Sequence, residues 1–212
     1  MDLRLTVLAT VCVLAQCEVL NLSCKQIKSF VDGHNFRREL LATGRVSGQP
    51  AATDMKYMVW DEELANKAAK WASHNNFAHN PDRTIGSGRF DTGENIYMYA
   101  TSNKSYELQV DSALKAWFNE KKDYTYKQLS LSDFGGGPQT GHYTQMAWAK
   151  TTYIGCGVSE YMANGMKNFF VVCNYGPPGN FMGEYPYSTK GDKKDKLNCE
   201  EQYCKKKYGS KC

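Results

Sequence analysis

Past its first 17 residues the chain has no apolar run near the length of a membrane-crossing helix, about 20 residues, so no span is predicted after that point. It has no internal repeat and no low-complexity tract, which excludes a solenoid or a fibre. A Gly-x-Ser-x-Gly elbow is missing too, and with it a serine hydrolase of that design. Excess charge is absent from most of the chain: the whole net charge of +4 sits in residues 190–212, where eight lysines meet four acidic residues. No aromatic series accompanies those lysines, so the tail reads as a solvated surface element and not as a nucleic-acid or lipid-headgroup site.

What is present begins with a leader. Arg4 precedes an apolar run from Leu5 to Leu14, and Ala15 and Cys17 have the spacing that a signal peptidase accepts, so residues 1–17 read as a secretory signal. Cleavage after Cys17 leaves Cys24, Cys156, Cys173, Cys199, Cys204 and Cys212, an even set, whereas cleavage after Ala15 would leave an odd thiol. The expected mature chain starts at Glu18 and is extracellular, with up to three disulfides. Asn21-Leu22-Ser23 and Asn103-Lys104-Ser105 are glycosylation sequons that suit such a compartment.

Three helices are predicted ahead of a β-rich part. Ser23 caps the first, where Ile27, Phe30, Val31 and His34 recur at helical spacing until Gly44 stops it. Asp61 caps the second, whose buried stripe is Leu64, Ala65, Ala68, Trp71 and Ala72; the alanines permit close approach of a neighbour. The third, over about 106–122, places Tyr106, Val110, Ala113, Leu114 and Trp117 on one face, and the same stripe reaches Glu120. A carboxylate there needs an internal partner, and His142 or His79 is the candidate. A short helix follows at Gly141–Trp148, opened by Thr140, whose hydroxyl is expected to take an orphan N–H.

Two β-like runs, 152–161 and 167–175, flank Asn164-Gly165, the strongest short hairpin signal. A two-residue turn there sets Ala163 opposite Met166 and, by the same register, Cys156 opposite Cys173 at a non-hydrogen-bonded position, where a disulfide can close. Cys24, Cys199, Cys204 and Cys212 then allow three connectivities.

The run Gly141-His142-Tyr143-Thr144-Gln145-Met146-Ala147-Trp148 resembles one signature of the CAP superfamily (cysteine-rich secretory, antigen 5 and pathogenesis-related proteins). Phe170 to Phe181, with Cys173-Asn174-Tyr175-Gly176-Pro177-Pro178-Gly179-Asn180, resembles a second. His34-Asn35 with Arg38, Trp60-Asp61 and Gly93-Glu94-Asn95-Ile96 are further matches, so the resemblance spans about residues 24–188. The expected organisation is a signal over 1–17, a CAP domain over 18–189 and a short Lys- and Cys-rich tail over 190–212.

The resemblance implies an α+β fold, a three-layer α-β-α sandwich around a mainly antiparallel three-stranded sheet. It also implies a cleft tetrad of His79, Glu94, Glu120 and His142, whose histidines are ligands of a divalent metal such as Zn²⁺ in some members of the family and whose four side chains otherwise form a satisfied buried polar network. The arthropod venom allergen 5 branch resembles the chain most in length and in its aromatic Asn-Tyr-Gly-Pro-Pro-Gly-Asn loop. That implies a secreted, non-enzymatic venom or salivary effector: an allergen, a modulator of host haemostasis, immunity or ion channels, or a carrier of sterol or lipid. Its partners would be host proteins or channels, with no nucleic acid. The alternative is a metal-dependent hydrolase in which Glu94 or Glu120 activates water on a metal held by the two histidines. Against it, catalytic zinc usually has three protein ligands, and all six mature cysteines are claimed for bridges. Two departures from the family stand out: the ten-cysteine channel-regulatory domain is absent, and only Cys24 remains of the usual N-terminal cysteine cluster.

Overall fold

The computed structural model describes residues 18–199 and 204–212; the leader read from residues 1–17 lies outside the described residues. The sheet is organised by the Asn164-Gly165 turn, where both residues take positive φ (49° and 74°) and Ala163 faces Met166. From this turn β4 (Tyr153–Ala163) and β5 (Met166–Gly176) pair without a slip, which sets Cys156 opposite Cys173 with Cα atoms 4.1 Å apart and the sulfurs bonded. On its other side β5 pairs antiparallel with β3 (Gly93–Thr101). Two two-residue strands, β1 (Glu18–Val19) and β2 (Val59–Trp60), add to β4, so the expected three-stranded sheet carries two short extensions.

Helix α1 (Cys24–Ala42) opens on a reciprocal capping box between Ser23 and Gln26 and ends before Gly44, whose φ is 67°. Helix α2 (Glu62–Ala72) is capped by Asp61, whose carboxylate accepts from the Leu64 N–H at 2.9 Å. Helix α3 (Val110–Asn119) is shorter than predicted and tightens at its end into a 3-10 turn over Glu120–Lys122. Tyr106 stays outside it because its ring packs against Tyr99 at 5.1 Å and edge-on to Phe169 at 5.9 Å. Helix α4 spans Gly141–Met146.

Helix α2 covers one face of the sheet, where Ala68 and Ala72 meet Ile96, Phe170 and Val172. The other face, with Ile154, Val158, Phe169, Val171 and Tyr175, lies under α1, α3 and α4. This is the α-β-α sandwich expected. Residues after 189 return to the same framework: Leu197 is buried in the core, Asn198 exchanges backbone bonds with Met55 and Tyr57, and the Lys207 carbonyl accepts from Trp60. In this tail Cys199 pairs with Cys204, whereas Cys24 and Cys212 are unbonded.

His34 is fully buried; Nδ1 lies 2.8 Å from the Phe30 carbonyl and Nε2 2.9 Å from the Tyr175 hydroxyl. A carbonyl only accepts, so Nδ1 carries the hydrogen and Nε2 accepts from Tyr175 in the neutral ring. Burial is the main cause that pulls its pKa down from 6.5 to about 3. Between those two values the unfolded chain binds a proton that the folded chain does not. The stability this provides is fully present above about pH 6.5 and is lost as pH falls towards 3, at up to about 1.4 kcal/mol per pH unit. Chemical denaturation from pH 7 to pH 4 is expected to show a shallower acid slope for His34→Gln than for the wild type; parallel slopes would refute the assignment.

Candidate functional site

Glu120 stands where α3 tightens into its last turn, and its partner is His142. Its Oε1 accepts from His142 Nδ1 at 2.6 Å, while Oε2 accepts from the backbone N–H groups of His142 and Tyr143 at 3.0 and 3.1 Å. The carboxylate thus caps α4 from outside. Thr140, expected to cap with its hydroxyl, makes no side-chain cap bond. An anion at the positive end of a helix makes stronger, charge-assisted bonds than a hydroxyl does, so Glu120 takes the place. Trp117 lies parallel to the His142 ring at 6.1 Å and is tied to β3 by its Nε1–H bond to the Ile96 carbonyl. Glu120→Ala strands these donors and is expected to cost about 1 to 3 kcal/mol in denaturant unfolding. A loss below about 0.5 kcal/mol, the level of an ordinary surface change, would show that the cap is dispensable.

The second pair comes from the opposite layer. Glu94 shares a sheet face with Ile96, the face that α2 covers, and its side chain is 0% exposed. Oε1 accepts from His79 Nδ1 at 2.8 Å and from the Asn80 N–H at 2.9 Å, and Oε2 accepts from Asn174 Nδ2 at 3.3 Å. The Arg83 guanidinium approaches to 3.9 Å. His79 itself is 48% exposed. The pairs are joined through Asn95, which the strand alternation turns to the face opposite Glu94 and whose Nδ2 donates to the His142 carbonyl at 3.1 Å.

The two pairs meet at the start of β3, on the edge of the sheet, where His79, Glu94, Asn95, Phe134, His142 and Asn180 line an open cleft of about 470 Å³. Residues 79, 94 and 142 therefore face one cavity, and Glu120 stands behind His142. Asn95, Asn174 and Asn180 belong to the motifs singled out above, but only the fold gives them a role. Asn180, at φ 62°, bridges the Thr144 hydroxyl and the Gly141 carbonyl. The sequon residues Asn21 and Asn103 are both exposed.

Among the described residues no group of three or more His, Cys, Asp or Glu side chains gathers to hold a metal ion. The donor set still suits a two-imidazole site. Each histidine commits Nδ1 to a carboxylate, which orients the ring as metal-ligating histidines are oriented, and neither Nε2 has a protein hydrogen bond among the described residues.

Residues 31–175 match the cysteine-rich secretory protein family, CAP. The chain is 41% identical over 169 residues to Venom allergen 5 of Polistes fuscatus, covering 77% of this chain and 79% of that protein. It is 36% identical over 203 residues to Salivary antigen-5 of Dipetalogaster maximus, covering 91% of this chain and 76% of that protein. Among solved structures, that of NaASP2 with Zn²⁺ superposes with a TM-score of 0.64 at 31% identity, covering 80% of this chain and 87% of that one.

Proposed function

The chain belongs to the cysteine-rich secretory protein family, and from that membership we propose that it is a secreted venom- or saliva-type effector that acts by binding and not by catalysis. One observation carries the non-enzymatic part. All four carboxylate oxygens of the tetrad already accept from protein donors: both of Glu120 from His142 and the start of α4, both of Glu94 from His79, Asn80 and Asn174. A general base needs a lone pair within reach of the attacking water, and each of these carboxylates already commits three of its about four lone-pair positions to protein donors, with Glu120 standing behind His142. The secretory part draws on the leader at residues 1–17, the Cys156–Cys173 bond and the relatives named for venom and saliva.

In this reading His79 and His142 would hold a divalent ion through Nε2, with Glu94 and Glu120 orienting them; the similar NaASP2 structure is one with Zn²⁺. Such an ion, when bound, would supply a positive centre in the cleft. The chain's residues hold and orient it, and a target, a host protein, ion channel or sterol, docks around it. Added Zn²⁺ is expected to raise the melting temperature of the wild type, an effect that His79→Ala and His142→Ala abolish and chelator reverses. Peptide and ester substrates should show no turnover above the level of the His142→Ala variant. Zinc-dependent turnover that Glu94→Gln abolishes would replace this reading by the hydrolase.

A further inference from the structure

We propose that Cys24 and Cys212 form a third disulfide, which bolts Cys212 onto the first turn of α1. Three independent contacts bring the tail there. Tyr208 donates its hydroxyl hydrogen to Asp32 Oδ1 at 2.9 Å, two turns into α1, and Lys28 Nζ lies 5.3 Å over the same ring. Ser210 bonds Glu62 at the start of α2 twice, N–H at 2.8 Å and hydroxyl at 2.9 Å, both to Oε1. Lys211 shares a cavity with Leu20, Leu22, Ile27 and Glu62, beside the residues that lead into α1. This docked segment ends at Cys212, whose thiol faces that of Cys24, the first residue of α1.

With Cys156 bonded to Cys173 and Cys199 to Cys204, Cys24 and Cys212 are the two cysteines left unbonded among the described residues. The chemistry is thiol–disulfide exchange with a disulfide oxidant of the secretory lumen. One of the two, as thiolate, attacks a sulfur of the oxidant and expels its other sulfur as a thiolate. The second thiolate then attacks the mixed disulfide, the S–S bond between Cys24 and Cys212 forms, and the oxidant leaves as a dithiol. Two electrons pass to the oxidant with the two protons.

The inference rests on secretion but not on what the cleft binds. Secreted protein, alkylated without reduction, deglycosylated and digested with trypsin, is expected to yield residues 18–25 linked to Cys212, or to residues 208–212 where the cut after Lys211 is missed, and residues 197–205 with an internal bridge. In Cys212→Ser one thiol should titrate, and alkylation should place it on Cys24; Cys24→Ser should give the reciprocal result. Alkylated Cys24 and Cys212 in the never-reduced wild type, or Cys24 joined to Cys199 or Cys204, would overturn the assignment. If no protein reaches the medium, the secretory reading fails. Refolding the reduced chain in oxidised and reduced glutathione then decides the pairing by the same map.

Discussion

Arg38→Met is expected to destabilise the protein by about 4 kcal/mol, within the range found when one partner of a buried charged network is removed. Arg38 is 1% exposed, and its guanidinium faces backbone carbonyls. Nε and Nη2 both donate to the Lys56 carbonyl at 2.9 and 2.7 Å, Nη1 to those of Met146 and Trp148 at 2.9 and 2.7 Å, and Nη2 also to those of Ala149 and Thr151, each at 3.1 Å. One side chain on α1 thus satisfies the segment that leads out of α4 and the approach to β2. Burial pulls the Arg38 pKa down to about 9, opposed by Asp54, so the group keeps its charge at neutral pH. Methionine keeps most of the volume and removes the desolvated charge, which helps, but it takes a donor from five carbonyls; those of Trp148 and Ala149 keep only the backbone N–H groups of Thr151 and Lys56, at 3.2 and 3.4 Å, while those of Met146 and Thr151 lose the Arg38 donor with no other protein donor among the described residues. Each buried orphan costs about 1 to 3 kcal/mol before water relieves some of them, so the loss outweighs the gain. Arg38→Lys retains the charge but has three donors on one nitrogen and no planar fork, so it should recover only part. Urea unfolding of both variants checks this; a loss of under about 1 kcal/mol for methionine would mean that solvent reaches those carbonyls freely.

Gly157→Ala is expected to cost about 3 kcal/mol or more, at the upper end of the range for overpacking. A Cβ at this position would lie 2.2 Å from the Ala69 nitrogen and 2.3 Å from its Cα, and one at Gly155 would lie 2.1 Å from the Ala65 nitrogen. These neighbours are helix backbone, which cannot rotate away as a side chain can. The sheet and α2 would have to separate, and Ala68 and Ala72 would lose their contact with Phe170 and Val172. Gly165→Ala is the control, because nothing lies within 4 Å of its added methyl. Its φ of 74° leaves only the left-handed strain of an L-residue, about 1 to 2 kcal/mol. Equal losses for the two variants would show that the close approach of α2 is soft.

The alanines of α2 were visible in the sequence as a surface that a neighbour could approach. That the neighbour is Gly155-Cys156-Gly157 was not, because nothing local to either segment states which face of the strand the helix will cover. The tetrad divides in the same way. Glu120 announced itself by its place on an apolar stripe, and two histidines were candidates for its partner. The fold assigns it His142 and gives His79 to Glu94, because α4 follows α3 on one face of the sheet whereas the residues after α2 lie on the other. Strand β3 escaped notice because Gly93–Thr101 at the sheet edge is stabilised by pairing with β5, a segment more than sixty residues away, and not by its own pattern.

The residues alone determined what depends on short range. Asn164-Gly165 sets the hairpin register, and the register sets the Cys156–Cys173 bond, because a two-residue turn makes every later pair follow from the first. The caps at Ser23 and Asp61 are local as well, each a side chain bonding an N–H three residues ahead. Tertiary structure decided the rest: the Glu120 cap that displaces Thr140 from α4, the carbonyl cluster around Arg38, the course of the tail back to α1, and the cleft between the two layers. Each joins groups from separate segments whose meeting depends on how the layers pack. The energy of such contacts is collected only when the chain is folded, so no window of sequence carries it.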